Sequence, residues 1–301
     1  MGGIPVLAPS APARSDAGGP SARGRVWRSL QRQPLFWVGA AFLAFLLLFS
    51  FLGPVLWHAG SAVNVSAILE PPSARHPLGT DALGRDYLWA LMVGGALPIV
   101  SGFATSVVAT ALGVAAGLAA AFVRPLESTV LRIADAVLSV PPLVPILIAE
   151  GFFGVSIGTL MAMVVVTTWP STARLVWSRG IVLREMPYIE AARATGASRL
   201  AIVRRHALPN ALDTVIACFA TEFATAVLFI ALATMFGAGL GASTNWATMI
   251  ATSGEYAFNA YWWLVLPPGI GFGILVLSVF FLAEAVRQAM HPQRRGKEGT
   301  A

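Results

Sequence analysis

Residues 178–210 read SRGIVLREMPYIEAARATGASRLAIVRRHALPN, a polar stretch set between two long uncharged ones. Its residue types spell helix, break, helix. Glu190, Ala191, Ala192, Arg193 and Ala194 form helix readily. Gly196 suits the left-handed conformation that stops a helix, and the Ser198 hydroxyl can cap the next one. Pro209 ends that second helix, whose apolar stripe contains Ile202 and Val203 while Arg199, Arg204 and Arg205 face elsewhere. On physics alone the segment has two readings. It is an elbow displayed to a soluble partner, or a surface loop positioned on phosphate headgroups by its arginines.

Outward from this segment the chain turns apolar. Of 301 residues, 56% are hydrophobic and 11% charged, against about 25% charged in an ordinary soluble domain. The polar surface that water-facing domains need is missing, so the expectation is a membrane-embedded, all-α chain. The single Cys218 excludes a disulfide framework within the chain and a Cys-rich metal cluster. The net charge of +6 would suggest nucleic acid in a soluble protein, but here the placement of the charges matters more, and no nucleic-acid partner is expected.

A span needs roughly 20 mostly apolar residues. Uncharged windows long enough to supply them place six helices at 36–57, 97–122, 135–153, 157–175, 212–235 and 263–286. The first is too long for the apolar region of a cleaved signal peptide, about 7–15 residues, and is expected to stay on the chain. Of the 20 Lys and Arg, only Arg75 and Arg85 fall on one side of this frame. The positive-inside rule therefore puts both termini and the 178–210 loop on the cytoplasmic side of the membrane. The chain divides into a disordered cytoplasmic tail at 1–26, a first span with an outer loop at 27–90, a core at 91–289, and a second cytoplasmic tail at 290–301. Pro141, Pro142 and Pro145 fall in the third span and Pro170 in the fourth, either as tolerated kinks or as helices set against protein or a cavity.

Glu190-Ala191-Ala192 with Gly196, followed by His206-Ala207-Leu208-Pro209-Asn210, resembles the EAA signature of the membrane subunits of bacterial ABC importers. The general pattern has a bulky aliphatic residue where this chain has His206; a histidine there resembles the peptide and nickel branch. A second segment, His76-Pro77-Leu78-Gly79-Thr80-Asp81 through Gly84-Arg85-Asp86, resembles the HPLGTDxxGRD motif of the C-type member of dipeptide, oligopeptide and nickel permease pairs. On chemistry alone it is a polar outer loop with an ion pair from Arg85 to Asp81 or Asp86. The resemblance covers roughly residues 28–292 and implies a type I ABC importer permease fold. It also implies that the loop is the coupling element, with Glu190, Ala191, Ala192, Gly196, His206, Leu208 and Pro209 meeting an ATPase subunit.

The implied assembly is this chain, a second homologous permease, two ATP-binding subunits and an extracytoplasmic substrate-binding protein. The chain carries no G-x-x-x-x-G-K-[ST] loop, so ATP and Mg are expected on the partners and no cofactor or metal on this chain. An intramembrane enzyme finds no support in the scattered His58, His76, His206 and His291. A stand-alone secondary transporter or channel is the other competitor. Peptides are the expected substrate, with nickel or another small solute as the alternative. For the pathway, Glu222 sits mid-span in a stretch with Thr221 and Thr225, where an ionisable group is a functional candidate by default and a helix-paired structural role is the competing reading. Glu150 is expected to be solvated near the outer interface. The carboxylate and serine common in the family before the Gly-rich segment that follows the fifth span are replaced here by Ala231 to Met235.

Overall fold

The computed structural model describes residues 22–57, 62–154, 156–237, 244–257 and 261–290, all helix and connecting turns apart from a single bridge between Thr80 and Asp86. The short α1 (Ala22–Gln31) takes in residues 22–26 of the stretch expected to be a disordered tail. The remainder of that tail, the second tail after Met290, and His58 and His291 lie outside the described residues. Next comes α2 (Pro34–Leu56), which has Pro34 at its first turn and a π-helical turn at Leu48–Leu52. α3 (Tyr87–Phe122) is 36 residues long and begins ten residues before the span predicted at 97–122, with Asp86 capping that start by accepting from the Trp89 amide.

The third span is a correction. Residues 135–153 are not one helix: α4 (Arg124–Leu138) and α5 (Leu143–Phe153) meet at 82° across residues 139–142. Pro141 and Pro142 account for the break, since neither has an N–H to continue the ladder and the residue before a proline is pushed out of the helical region. α4 is amphipathic, with Ala134 buried and Leu126 and Ile133 exposed.

α6 (Ile157–Arg184) runs nine residues past its predicted end, so the polar loop read as starting at Ser178 begins inside a helix. It is followed by α7 (Pro187–Ala194) and then α8, which opens at Arg199–Ile202 and continues through a π-helical turn at Val203–Ala207 to Leu208–Asn210. α9 (Leu212–Met235) agrees with the sequence. α10 (Trp246–Ala257) was not expected, and α11 (Leu266–Met290) follows a 3-10 turn at Trp262–Leu264. Four of these helices among the described residues, α2, α3, α9 and the unit from Trp262 to Met290, are long and apolar enough to cross a membrane; the bent pair α4–α5 makes a fifth only when its two halves are counted as one span. The sixth predicted span, α6, is 28 residues long but falls outside that set, since its uncharged part stops at Ala173; it is the helix most closely packed on α3.

That packing has a local cause. Gly113 and Gly117 are four apart on α3, and a β-carbon on Gly117 would stand 2.5 Å from the Ala173 carbonyl oxygen. Small residues at this spacing let two backbones approach in lipid, where van der Waals contact and not water expulsion holds helices together. Along the first half of α3, the largest core cluster among the described residues joins Tyr87, Ile99, Phe223, Trp246 and Leu275 from four helices. Trp246 is fully buried and donates its indole N–H to the Leu91 carbonyl.

Candidate functional site

The elbow between α6 and α9 is built by its own sequence. Met186 is extended and Pro187 opens α7. Gly196 stops that helix at φ +82°, its N–H bonding to Arg193 O at 3.0 Å while the Ala197 N–H reaches back to Ala192 O at 3.0 Å. This paired closure satisfies carbonyls that a helix end leaves open, and it requires a residue at ease with positive φ. Ser198 is extended and its hydroxyl accepts from the Ala201 N–H at 3.3 Å, starting α8.

The elbow has two unlike faces. Ile189, Ile202 and Ala207 are buried in a cluster with Leu118, Ala121 and Phe122 of α3, Val176 of α6 and Cys218 of α9. Burying one such isoleucine contributes roughly 1.5–3 kcal/mol. Arg184 donates to the Ala121 carbonyl at 2.9 Å, and Arg179 lies 3.8 Å from Asp213 while donating to Asn210 O. His206 is half-buried with its ring 6.2 Å from that of Tyr188, linking α8 to α7, and Asn210 donates to His206 O at 2.7 Å. On the other face Glu190, Ala191, Gly196, Leu200 and Pro209 are exposed, with Ala192 and Leu208 half-buried between. The EAA residues and their helix break therefore lie together on one outward-facing element packed against three long helices.

At the opposite end of α3, the second motif folds on itself. Thr80 is fully buried, donating to Ala67 O and accepting from the Glu70 N–H at 2.8 Å. Asp81 accepts from the Leu83 and Arg85 amides at 2.8 and 2.9 Å and from Arg85 Nε at 2.8 Å. Of the two ion pairs that the sequence allows for Arg85, the structure has the one to Asp81. Asp86 instead faces His76, with Nδ1 3.0 Å from its carboxylate, while capping α3. Gly79 and Gly84 both have positive φ, and a β-carbon on Gly84 would sit 1.8 Å from Asn64 O. The motif is a turn that locks the start of α3.

The mid-span candidates separate. Thr221 is exposed on the same stripe of α9 as Ala217 and Leu228, and Thr225 is half-buried beside it. Glu222 is turned about 100° from Thr221 and is 4% exposed, accepting from the Thr172 hydroxyl of α6 at 2.6 Å. Glu150, expected to be solvated, is also 4% exposed and has no hydrogen-bond partner among the described residues, because α5 folds back onto α6 and α9. Near the elbow end, Arg174 of α6 pairs with Asp135 of α4. Among the described residues no three of His, Cys, Asp and Glu come together as a metal site would require.

The sequence reading missed the Gly113–Gly117 pair, although its four-residue spacing was legible, and it missed Thr172, whose role is visible only once α6 and α9 are side by side. Two family models match the chain. One, described as the binding-protein-dependent transport system inner membrane component, covers residues 109–292, and one, described as the N-terminal TM domain of oligopeptide transport permease C, covers residues 21–72. Among curated relatives, the probable D,D-dipeptide transport system permease protein DdpC of Escherichia coli K12 is 30% identical over 280 residues, which is 91% of this chain and 92% of the relative. The dipeptide transport system permease protein DppC of Alkalihalophilus pseudofirmus is 30% identical, with 89% of each chain covered. A putative peptide transport system permease protein of Brucella suis biovar 1 is 29% identical over 88% of this chain and 90% of its own length. Among solved structures, an inward-facing form of the MetNI methionine ABC transporter superposes with a TM-score of 0.57 at 24% identity, covering 68% of this chain and 97% of the other.

Proposed function

Because this chain belongs to the family of binding-protein-dependent transport system inner membrane components, we propose that it is the C-type permease subunit of an ATP-driven importer of di- or oligopeptides. The observation that carries the reading is the two-faced elbow: one side is buried against α3, α6 and α9, and the other presents Glu190 and Ala191 to solvent. An element of this kind turns a push from a soluble partner into a displacement of three spans. The partner is an ATP-binding subunit, present in two copies and holding ATP and Mg, so hydrolysis takes place there and this chain contributes no catalytic group.

A second, homologous permease completes the pathway, to which the Thr221 and Thr225 stripe of α9 contributes small polar surface. An extracytoplasmic binding protein delivers the substrate near the Gly79–Asp86 turn. The asymmetry of Lys and Arg supports both termini and the elbow lying in the cytoplasm. Peptide as the substrate draws on the printed functions of the dipeptide permeases that the chain resembles along most of its length.

Uptake in a strain deleted for this subunit tests the reading, comparing labelled di- and oligopeptides with nickel. Loss of peptide uptake, restored by the intact chain, is the expected result. Loss of nickel uptake with peptide uptake intact overturns the substrate and leaves the importer in place.

A further inference from the structure

We infer that an arginine-lined cleft beside the elbow is a binding site for the phosphodiester headgroup of an anionic phospholipid. The cleft encloses about 460 Å³, and its walls include Phe122 at the end of α3, Arg124 at the start of α4, Arg184 at the end of α6, Arg193 on α7, and Arg199 and Ile202 on α8. Arginines from four helices thus line one space, and no acidic residue is among its lining residues. None of the four is in an ion pair among the described residues; Arg184 spends one donor on the Ala121 carbonyl. Like charges gathered without a counter-charge repel, so the arrangement is satisfied by an anion able to accept several N–H bonds, for which arginine and phosphate are geometrically matched.

One feature favours a lipid over a free phosphate. From Arg124, α4 leads away as an amphipathic helix with Leu126 and Ile133 exposed, the pattern of a helix lying in the headgroup region. A headgroup held here bridges the elbow arginines, Arg193 and Arg199, to the span arginines, Arg124 and Arg184, and so stiffens the joint between them. The inference rests on the membrane-spanning reading of the bundle and not on which solute is carried.

The test uses the whole transporter complex, delipidated in detergent and followed by native mass spectrometry with added phosphatidylglycerol or phosphatidylcholine. Wild type is expected to retain phosphatidylglycerol in preference. The double variant Arg124→Gln/Arg199→Gln should weaken that retention about twenty-fivefold, from two cationic contacts each worth about fivefold. Arg132→Gln, elsewhere on α4, should not change it. Should the double variant fail to assemble, Arg124→Gln alone carries the test with about a fivefold loss. Equal retention of the two lipids by wild type overturns the proposal, as does unchanged retention in the variants. Inorganic phosphate that displaces the lipid and itself stays bound reassigns the cleft to a free anion. Loss of ATP-binding subunits from the variant in the absence of lipid reassigns it to a protein contact. Failed uptake with lipid retention intact speaks against the transport reading and leaves this one standing.

Discussion

The Thr172 hydroxyl on α6 donates to Glu222 Oε1 on α9 at 2.6 Å, with the two residues 2% and 4% exposed. The second carboxylate oxygen has no hydrogen-bond partner among the described residues. A group buried in this way joins two spans, so its first contribution is to the packing of the bundle.

Glu222→Gln keeps an acceptor for Thr172 and is expected to hold stability within about 1 kcal/mol of wild type. Glu222→Ala removes both the acceptor and buried volume and should cost about 2–4 kcal/mol. Thr172→Val should lose about 1 kcal/mol, and a double-mutant cycle with Glu222→Ala should return a coupling of similar size. Detergent-titration unfolding of the reconstituted subunit measures all four. A coupling of zero would mean that the pair does not act as a unit.

Nothing stands within 4 Å of a β-carbon on Gly196, so a side chain there strains only the backbone at φ +82°. Gly196→Val is expected to cost roughly 1 kcal/mol or more locally and to abolish uptake while the subunit still inserts. Gly196→Asn, which tolerates positive φ better, should retain part of the activity. Equal uptake by both variants and wild type would detach the elbow from coupling.

At Gly84 the obstacle is steric as well, since the added β-carbon would meet Asn64 O at 1.8 Å. Gly84→Ala is therefore predicted to reduce the amount of folded subunit more than Asp86→Ala, which removes the cap of α3 and the partner of His76 for about 1–2 kcal/mol. Immunoblotting of membrane fractions, with protease sensitivity of the α3 start as a second readout, checks the order.

Orientation is testable with single cysteines. In a Cys218→Ser background, Ser198→Cys on the elbow and Leu83→Cys in the turn before α3 both place the thiol at an exposed position. Membrane-impermeant maleimide should reach Leu83→Cys in intact cells and Ser198→Cys only after lysis. Labelling of both in intact cells would refute the proposed topology.

The elbow was legible because its signals are local. Gly196, Ser198 and Pro209 act through their own backbone and nearest neighbours, and the structure has Gly196 and Ser198 in the conformations that their chemistry favours. The bend at 139–142 was obscured because a search for uncharged windows registers the lack of charge from Ala136 onward and not the direction of the chain. The Pro141-Pro142 pair carried the missing information. α10 was missed for a related reason: it is as uncharged as a span through Gly254 but only 12 residues long, and Trp246 is buried by tertiary packing. The setting of Glu222 could not be read at all, since its partner lies fifty residues earlier and meets it only through the α3–α6–α9 arrangement.

The length of α3 has a mechanical meaning. At 36 residues it measures roughly 54 Å, against about 30 Å of hydrocarbon. It begins in the Thr80–Asp86 lock and ends among Leu118, Ala121 and Phe122, against which the elbow is buried. One strut therefore carries both motifs at its two ends, and a tilt of about 5° about either end swings the other by about 5 Å. Under the proposed topology, such a lever would report on one membrane face what has been moved on the other, with no side-chain relay between them.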